Sequence, residues 1–136
     1  MRYTADKIAA TLVHLTPAQL TKAHEAGKRA RQMALQYYKH HGFPIPATVI
    51  SWGRSRAVRE QFPADMFWQF MIGQNFIKPV KVLNRVCYLP CDAGLTPFEE
   101  VQAVELMELA LFQGAAIPLT HIKYHEPKKL QHKRRD

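Results

Sequence analysis

Residues 15–44 read LTPAQLTKAHEAGKRARQMALQYYKHHGFP, and this stretch decides the fold. Thr16 stands at an N-cap, Pro17 at the first helical position and Gln19 at the third, the spacing of a capping box. Leu15 and Leu20 flank the box at the positions of a hydrophobic staple. No breaker interrupts the pattern until Gly42 and Pro44, a helix stop. The segment predicts one helix over residues 17–41, about 37 Å long at a rise of about 1.5 Å per residue. Its stripe at 3–4 spacing runs Leu20, Ala23, Gly27, Ala30, Ala34, Tyr37 and His41. Small residues in the middle of such a stripe let a partner helix approach closely. The partner could be internal or a second copy of the chain, and the helix's length favours a protruding face that carries a homodimer contact or docks a protein partner. Lys22, Lys28, Arg29, Arg31 and Lys39 cover the other faces.

Towards the N-terminus, Thr4 can cap a short helix with Ile8, Ala9, Leu12 and Val13 facing inward. The two helices loosely match helix-turn-helix spacing. His14 occupies the position where glycine usually permits that turn, and the simpler reading is two helices with a tight corner.

Towards the C-terminus, Pro44 and Pro46 impose extended backbone. Pro63 to Gly73 reads as a short helix, apolar on nearly every side, and so as a central buried element. Residues 79–90 alternate and predict a strand. Thr96-Pro97-Phe98-Glu99 is a second capping box, opening a helix that ends at Gly114. Val101, Val104 and Leu111 supply its apolar side and four glutamates its wet side. Residues 116–125 alternate again and predict another strand. Strand, helix and strand with short connections form a right-handed crossover unit. A third strand must come from residues 46–52 or from a second subunit, because two strands alone are marginal. The expected class is α+β, mainly helical, with a small sheet containing a C-terminal strand–helix–strand unit. Residues 1–125 form one globular domain and residues 126–136 a basic tail.

The chain has 136 residues, of which 47% are apolar, enough for one domain with a core. No apolar run approaches the roughly 20 residues of a membrane-spanning helix, so no membrane partner is expected. The first fifteen residues lack the apolar core of a secretory signal. Two cysteines cannot build a disulfide framework, and a reducing cytoplasmic setting is the default.

Lysine plus arginine exceed aspartate plus glutamate by 19 to 11, a net charge of +8. The excess is segregated: basic before residue 76, acidic from 76 to 122, and basic again in the tail. Charge of this sign points to polyanionic partners, nucleic acid above all. Ser51-Trp52-Gly53-Arg54-Ser55-Arg56-Ala57-Val58-Arg59 places three arginines beside a tryptophan. Arginine can grip phosphate with two hydrogen bonds, and tryptophan offers a stacking platform for an unpaired base. Solvated arginines and a core tryptophan are the plainer alternative. The candidate nucleic-acid contacts are Lys28, Arg29, Arg31, Trp52, Arg54, Arg56 and Arg59, with Lys128, Lys129, Lys133, Arg134 and Arg135 as a flexible clamp.

Cys87 and Cys91 have three residues between them, as have His121 and His125. These are residue types that zinc prefers in tetrahedral sites, so the four form a candidate metal set. Regular strands would hold residues four apart about 13 Å from each other, so each pair needs a bend to chelate. Without that bend, Cys87 is a buried thiol and the histidines are surface groups.

No glycine-rich phosphate loop, carboxylate cluster or marked nucleophile is present, and an enzyme is not expected. The sequence reads as a nucleic-acid-binding accessory or regulatory protein, for DNA or RNA, acting through a basic face and tail. The rival is a protein-interaction module, such as an inhibitor, adaptor or assembly subunit, docking on an acidic partner.

Overall fold

A computed structural model of the protein describes residues 4–50 and 63–119. Helix α1 spans Ala5–Val13 and helix α2 spans Pro17–His41. Strand β1 (Ile45–Pro46) leads into a 3-10 turn at Ala47–Val49. Helix α3 (Ala64–Gly73) precedes the hairpin of β2 (Ile77–Val82) and β3 (Arg85–Pro90), and helix α4 (Pro97–Phe112) follows. The class is α+β: helices around a three-stranded sheet in the order β1-β3-β2.

Both long helices begin where their capping boxes require. The Gln19 N–H donates to Thr16 Oγ1 at 3.1 Å, and the Thr16 N–H donates back to Gln19 Oε1 at 2.8 Å. Thr96 and Glu99 repeat the exchange at 3.1 and 2.8 Å. Each box satisfies two of the amide donors that a helix start leaves without an internal partner. Helix α2 stops at Gly42, whose φ of 76° suits glycine and lets its N–H donate to the Tyr38 carbonyl at 2.7 Å.

The sheet departs from the expected crossover. Residues 79–90 are not one strand but most of a hairpin, turned at Leu83-Asn84 with Ile77 opposite Pro90 and Val82 opposite Arg85. Both strand pairings are antiparallel, so no parallel crossover is present among the described residues. The third strand is the two residues Ile45 and Pro46 beside Tyr88 and Cys87, and it meets the expected span of 46–52 only at Pro46, because Ala47–Val49 form the 3-10 turn. Residues 115–119 carry no regular structure, and the remainder of the expected last strand lies outside the described residues.

The small-residue stripe of α2 is filled from within. Ala23, Ala26, Gly27, Ala30, Met33, Ala34 and Tyr37 are buried, in one cluster with Ile45, Phe67, Phe70, Phe76 and Ile77. A Cβ on Gly27 would stand 2.4 Å from Cδ2 of Phe76, so this glycine is where the aromatic ring enters the helix surface. Of the two alternatives for this face, the partner is the internal one: the aromatic wall of the same chain occupies the space where a second copy or a partner helix was expected to dock. Helix α3 is central as read, with Phe67 and Met71 fully buried. The ring of its Trp68 stacks on Tyr88 of β3 at 4.7 Å. A second cluster joins Val82 and Cys87 to Met107 of α4.

Helix α4 is not divided into one apolar and one acidic side. Ala103 and Met107 are buried, yet Phe98, Val101, Leu106, Leu109 and Phe112 are exposed. Val101, read from its spacing as an inward residue, faces out. Glu100, read as part of the wet side, accepts a hydrogen bond from Lys78 Nζ at 2.7 Å.

Candidate nucleic-acid interface

Helix α2 positions the described part of the basic set. With the stripe around Ala23, Ala30 and Tyr37 turned inward, successive 100° steps place Lys22, Lys28, Arg29 and Lys39 within an arc of about 120° on the opposite side. All four are exposed, as are Thr21 and His40 on the same face. One carboxylate, Glu25, shares that face. No ion pair within 4 Å engages Lys22, Lys28, Arg29 or Lys39 among the described residues. Lys22 and Lys39 were not singled out from sequence as contacts, although the helical wheel of residues 17–41 already grouped them with Lys28 and Arg29.

Arg31 parts from its neighbours. It lies towards the Phe76 side of the helix, with its guanidinium carbon 5.0 Å from the centre of that ring. Its Nη2 donates to the Asn75 carbonyl at 2.9 Å and lies 3.9 Å from an Asp92 carboxylate oxygen. Asn75 and Asp92 both have positive φ, 61° and 51°, and Arg31 spans the two bends. Its chemistry is thus used to hold the chain on either side of the hairpin to α2, apart from the exposed face. Arg31 Nε is buried with no hydrogen-bond partner among the described residues.

The cysteines occupy different environments. Cys87 is fully buried, with Sγ 4.0 Å from Met107 Sδ. Burial pushes its thiol pKa up, which favours the neutral form over the thiolate that binds metal. Cys91 is half-buried just past β3, and burial raises its thiol too, against the opposing influence of Lys78. Among the described residues, no three His, Cys, Asp or Glu side chains converge as a metal centre would need. His121 and His125, the other half of the candidate zinc set, lie outside the described residues. So do Trp52, Arg54, Arg56 and Arg59, and the tail cations Lys128, Lys129, Lys133, Arg134 and Arg135.

The junction of α1 and α2 is a tight corner. His14 closes α1 with φ −89° and ψ −4°, an ordinary right-handed conformation, so this turn makes no demand for glycine. Leu15 is buried and anchors the corner to the core. No described helix is long and apolar enough to cross a membrane.

Compared with models of known families, with curated proteins and with solved structures, this chain matches none.

Proposed function

We propose that the protein binds nucleic acid through the exposed basic face of α2, holding backbone phosphates with Lys22, Lys28, Arg29 and Lys39. One observation carries the reading: these four cations share an outward helix face, and no acidic side chain pairs with them among the described residues. Surface cations without an ion-pair partner attract phosphate and release counterions when they meet it, and the one carboxylate on this face, Glu25, offsets only part of their charge. Lys22 and Lys39 are separated by about 26 Å along the helix, more than the ~12 Å width of a major groove. Cations at the two ends can therefore meet backbone on both sides of one groove. Contacts of this kind position a protein on its target and carry no base sequence by themselves. The role that follows is an accessory or regulatory one rather than a catalytic one.

Titration of the full chain against random duplex DNA, single-stranded DNA and RNA tests this. We expect binding at low salt that falls at least about tenfold in the Lys22/Lys28/Arg29/Lys39→Ala variant, as the loss of several phosphate contacts requires. Equal binding by wild type and variant, or no binding to any of the three, would overturn the proposal.

A further inference from the structure

The outward face of α4 carries an order that the nucleic-acid reading does not use. Phe98, Gln102, Glu105, Leu109 and Phe112 follow one another at spacings of four, three, four and three residues, the alternation of a coiled-coil seam. Phe98, Leu109 and Phe112 are 73%, 52% and 86% exposed. Val101 and Leu106 flank the seam on its two sides, at 57% and 46%. Helix α4 already packs its opposite side, through Ala103 and Met107, into the protein. The outward stripe is thus a second apolar face on a helix whose first is satisfied.

We infer that this face pairs with the same face of a second copy, the two α4 helices running antiparallel. The seam is apolar at both ends and polar in the middle. A two-fold axis midway between Gln102 and Glu105 sets Phe98 against Leu109 of the second copy, with each Phe112 lying beyond that layer towards the start of the partner helix. The same axis sets Gln102 against its Glu105, where the amide can donate to the carboxylate. Each layer occurs twice, and each is complementary. A parallel pairing would instead set Glu105 on Glu105, like charge on like.

The area is of the right size. From these exposures, and ~150–250 Å² for a fully buried aromatic side chain, the stripe offers roughly 500 Å² of apolar surface per copy. That lies in the upper part of the ~300–600 Å² range of a monomer's largest apolar patch, which is often a functional one. A standard interface takes about 800 Å² from each partner, so the stripe would supply somewhat over half, close to the apolar share of homodimer interfaces. The chain's own tail is a poor occupant. Among residues 126–136 only Leu130 and Pro127 are apolar, and the tail's cations suit the glutamates of α4 rather than its phenylalanines.

Sedimentation velocity of the nucleic-acid-free full chain from about 1 to 100 µM, in moderate salt, tests the pairing. A reversible dimer is expected. Leu109→Lys and Phe112→Glu should each raise its dissociation constant at least about 30-fold, the scale of losing a hot spot, with far-UV circular dichroism unchanged because both residues are exposed. Gln102→Glu, which sets like charges together in both central layers, should weaken it about tenfold. Were the occupant a basic segment, that change would strengthen the association instead. A monomer at 100 µM overturns the inference, as does any association that Leu109→Lys and Phe112→Glu leave intact.

Discussion

Alanine at Gly27 should destabilise the protein, although alanine is the better helix former. The new Cβ would lie 2.4, 2.5 and 2.9 Å from three atoms of the Phe76 ring. Ordinary carbon contacts are about 3.5–4.0 Å, so the ring must withdraw by about 1 Å. It has little freedom to do so: Phe76 is only 6% exposed, lies under the Arg31 guanidinium and meets the His24 ring at 5.9 Å. Overpacking a filled site costs about 1–3 kcal/mol, and a wedge this deep belongs at the upper end. Alanine returns about 1 kcal/mol of helix propensity, leaving a net loss of about 2 kcal/mol. For a domain of this size that lowers the melting temperature by roughly 8 °C. Gly73→Ala is the paired control, since a Cβ there would meet nothing within 4 Å and the backbone is helical. That change should stabilise by about 0.5–1 kcal/mol. Thermal and urea unfolding of both variants measure the contrast. If Gly27→Ala is neutral or stabilising, the close approach of α2 to Phe76 is wrong.

Two further outcomes follow from titratable groups that burial perturbs. The Tyr37 hydroxyl is fully buried and donates to the Pro118 carbonyl at 2.6 Å, and burial pushes its pKa from 10.0 up to about 12. Tyr37→Phe leaves that carbonyl without its donor and should cost about 1–2 kcal/mol in a urea titration. In the wild type, the unfolded tyrosine ionises near pH 10 and the folded one near 12, so this residue's contribution to stability should decline across that interval. His41 moves the opposite way: burial and the neighbouring His40 hold its pKa below 6.5, and its Nε2 has no described hydrogen-bond partner. Below about pH 6.5 the unfolded chain binds a proton here that the folded chain resists, so stability should fall as pH drops through that point. His41→Phe should flatten this part of the stability–pH curve, and an unchanged curve would contradict the assignment.

The legible parts of the fold were those with local chemistry. Thr16, Pro17 and Gln19 state where α2 begins, Gly42 states where it ends, and Thr96 with Glu99 does the same for the start of α4. The hairpin escaped because its turn is disguised. Leu83 has a φ of 54°, a conformation usually marked by glycine or asparagine, and its N–H is held by Glu108 Oε2 at 3.4 Å, a contact 25 residues away. Without that turn, residues 79–90 look like one alternating strand. The partner of the α2 stripe was invisible for a similar reason: small residues announce a close approach but not what approaches, and here it is a phenylalanine ring. Helix α4 misled because its apolar residues surround it. Spacing alone could not say that Met107 faces the sheet while Phe112 faces out.

For the candidate site, residue type was a poor guide to exposure. Lys28, Arg29 and Arg31 are neighbours in sequence, yet a rotation of about 200° from Arg29 takes Arg31 off the open face, towards Phe76 and the Asn75 carbonyl. The grouping that matters is by angle, which brings in Lys22 and Lys39 and leaves Arg31 out.

The most direct test of the basic face is the salt dependence of DNA binding, measured side by side for wild type and for the Lys22/Lys28/Arg29→Ala variant. Each lost phosphate contact on B-DNA should make the slope of log affinity against log salt shallower by about 0.9. The account predicts a difference of about 2 to 3 between the two slopes, with weaker binding by the variant at every salt concentration. Parallel slopes would contradict it, because phosphate contacts made elsewhere on the chain would then account for all of the binding.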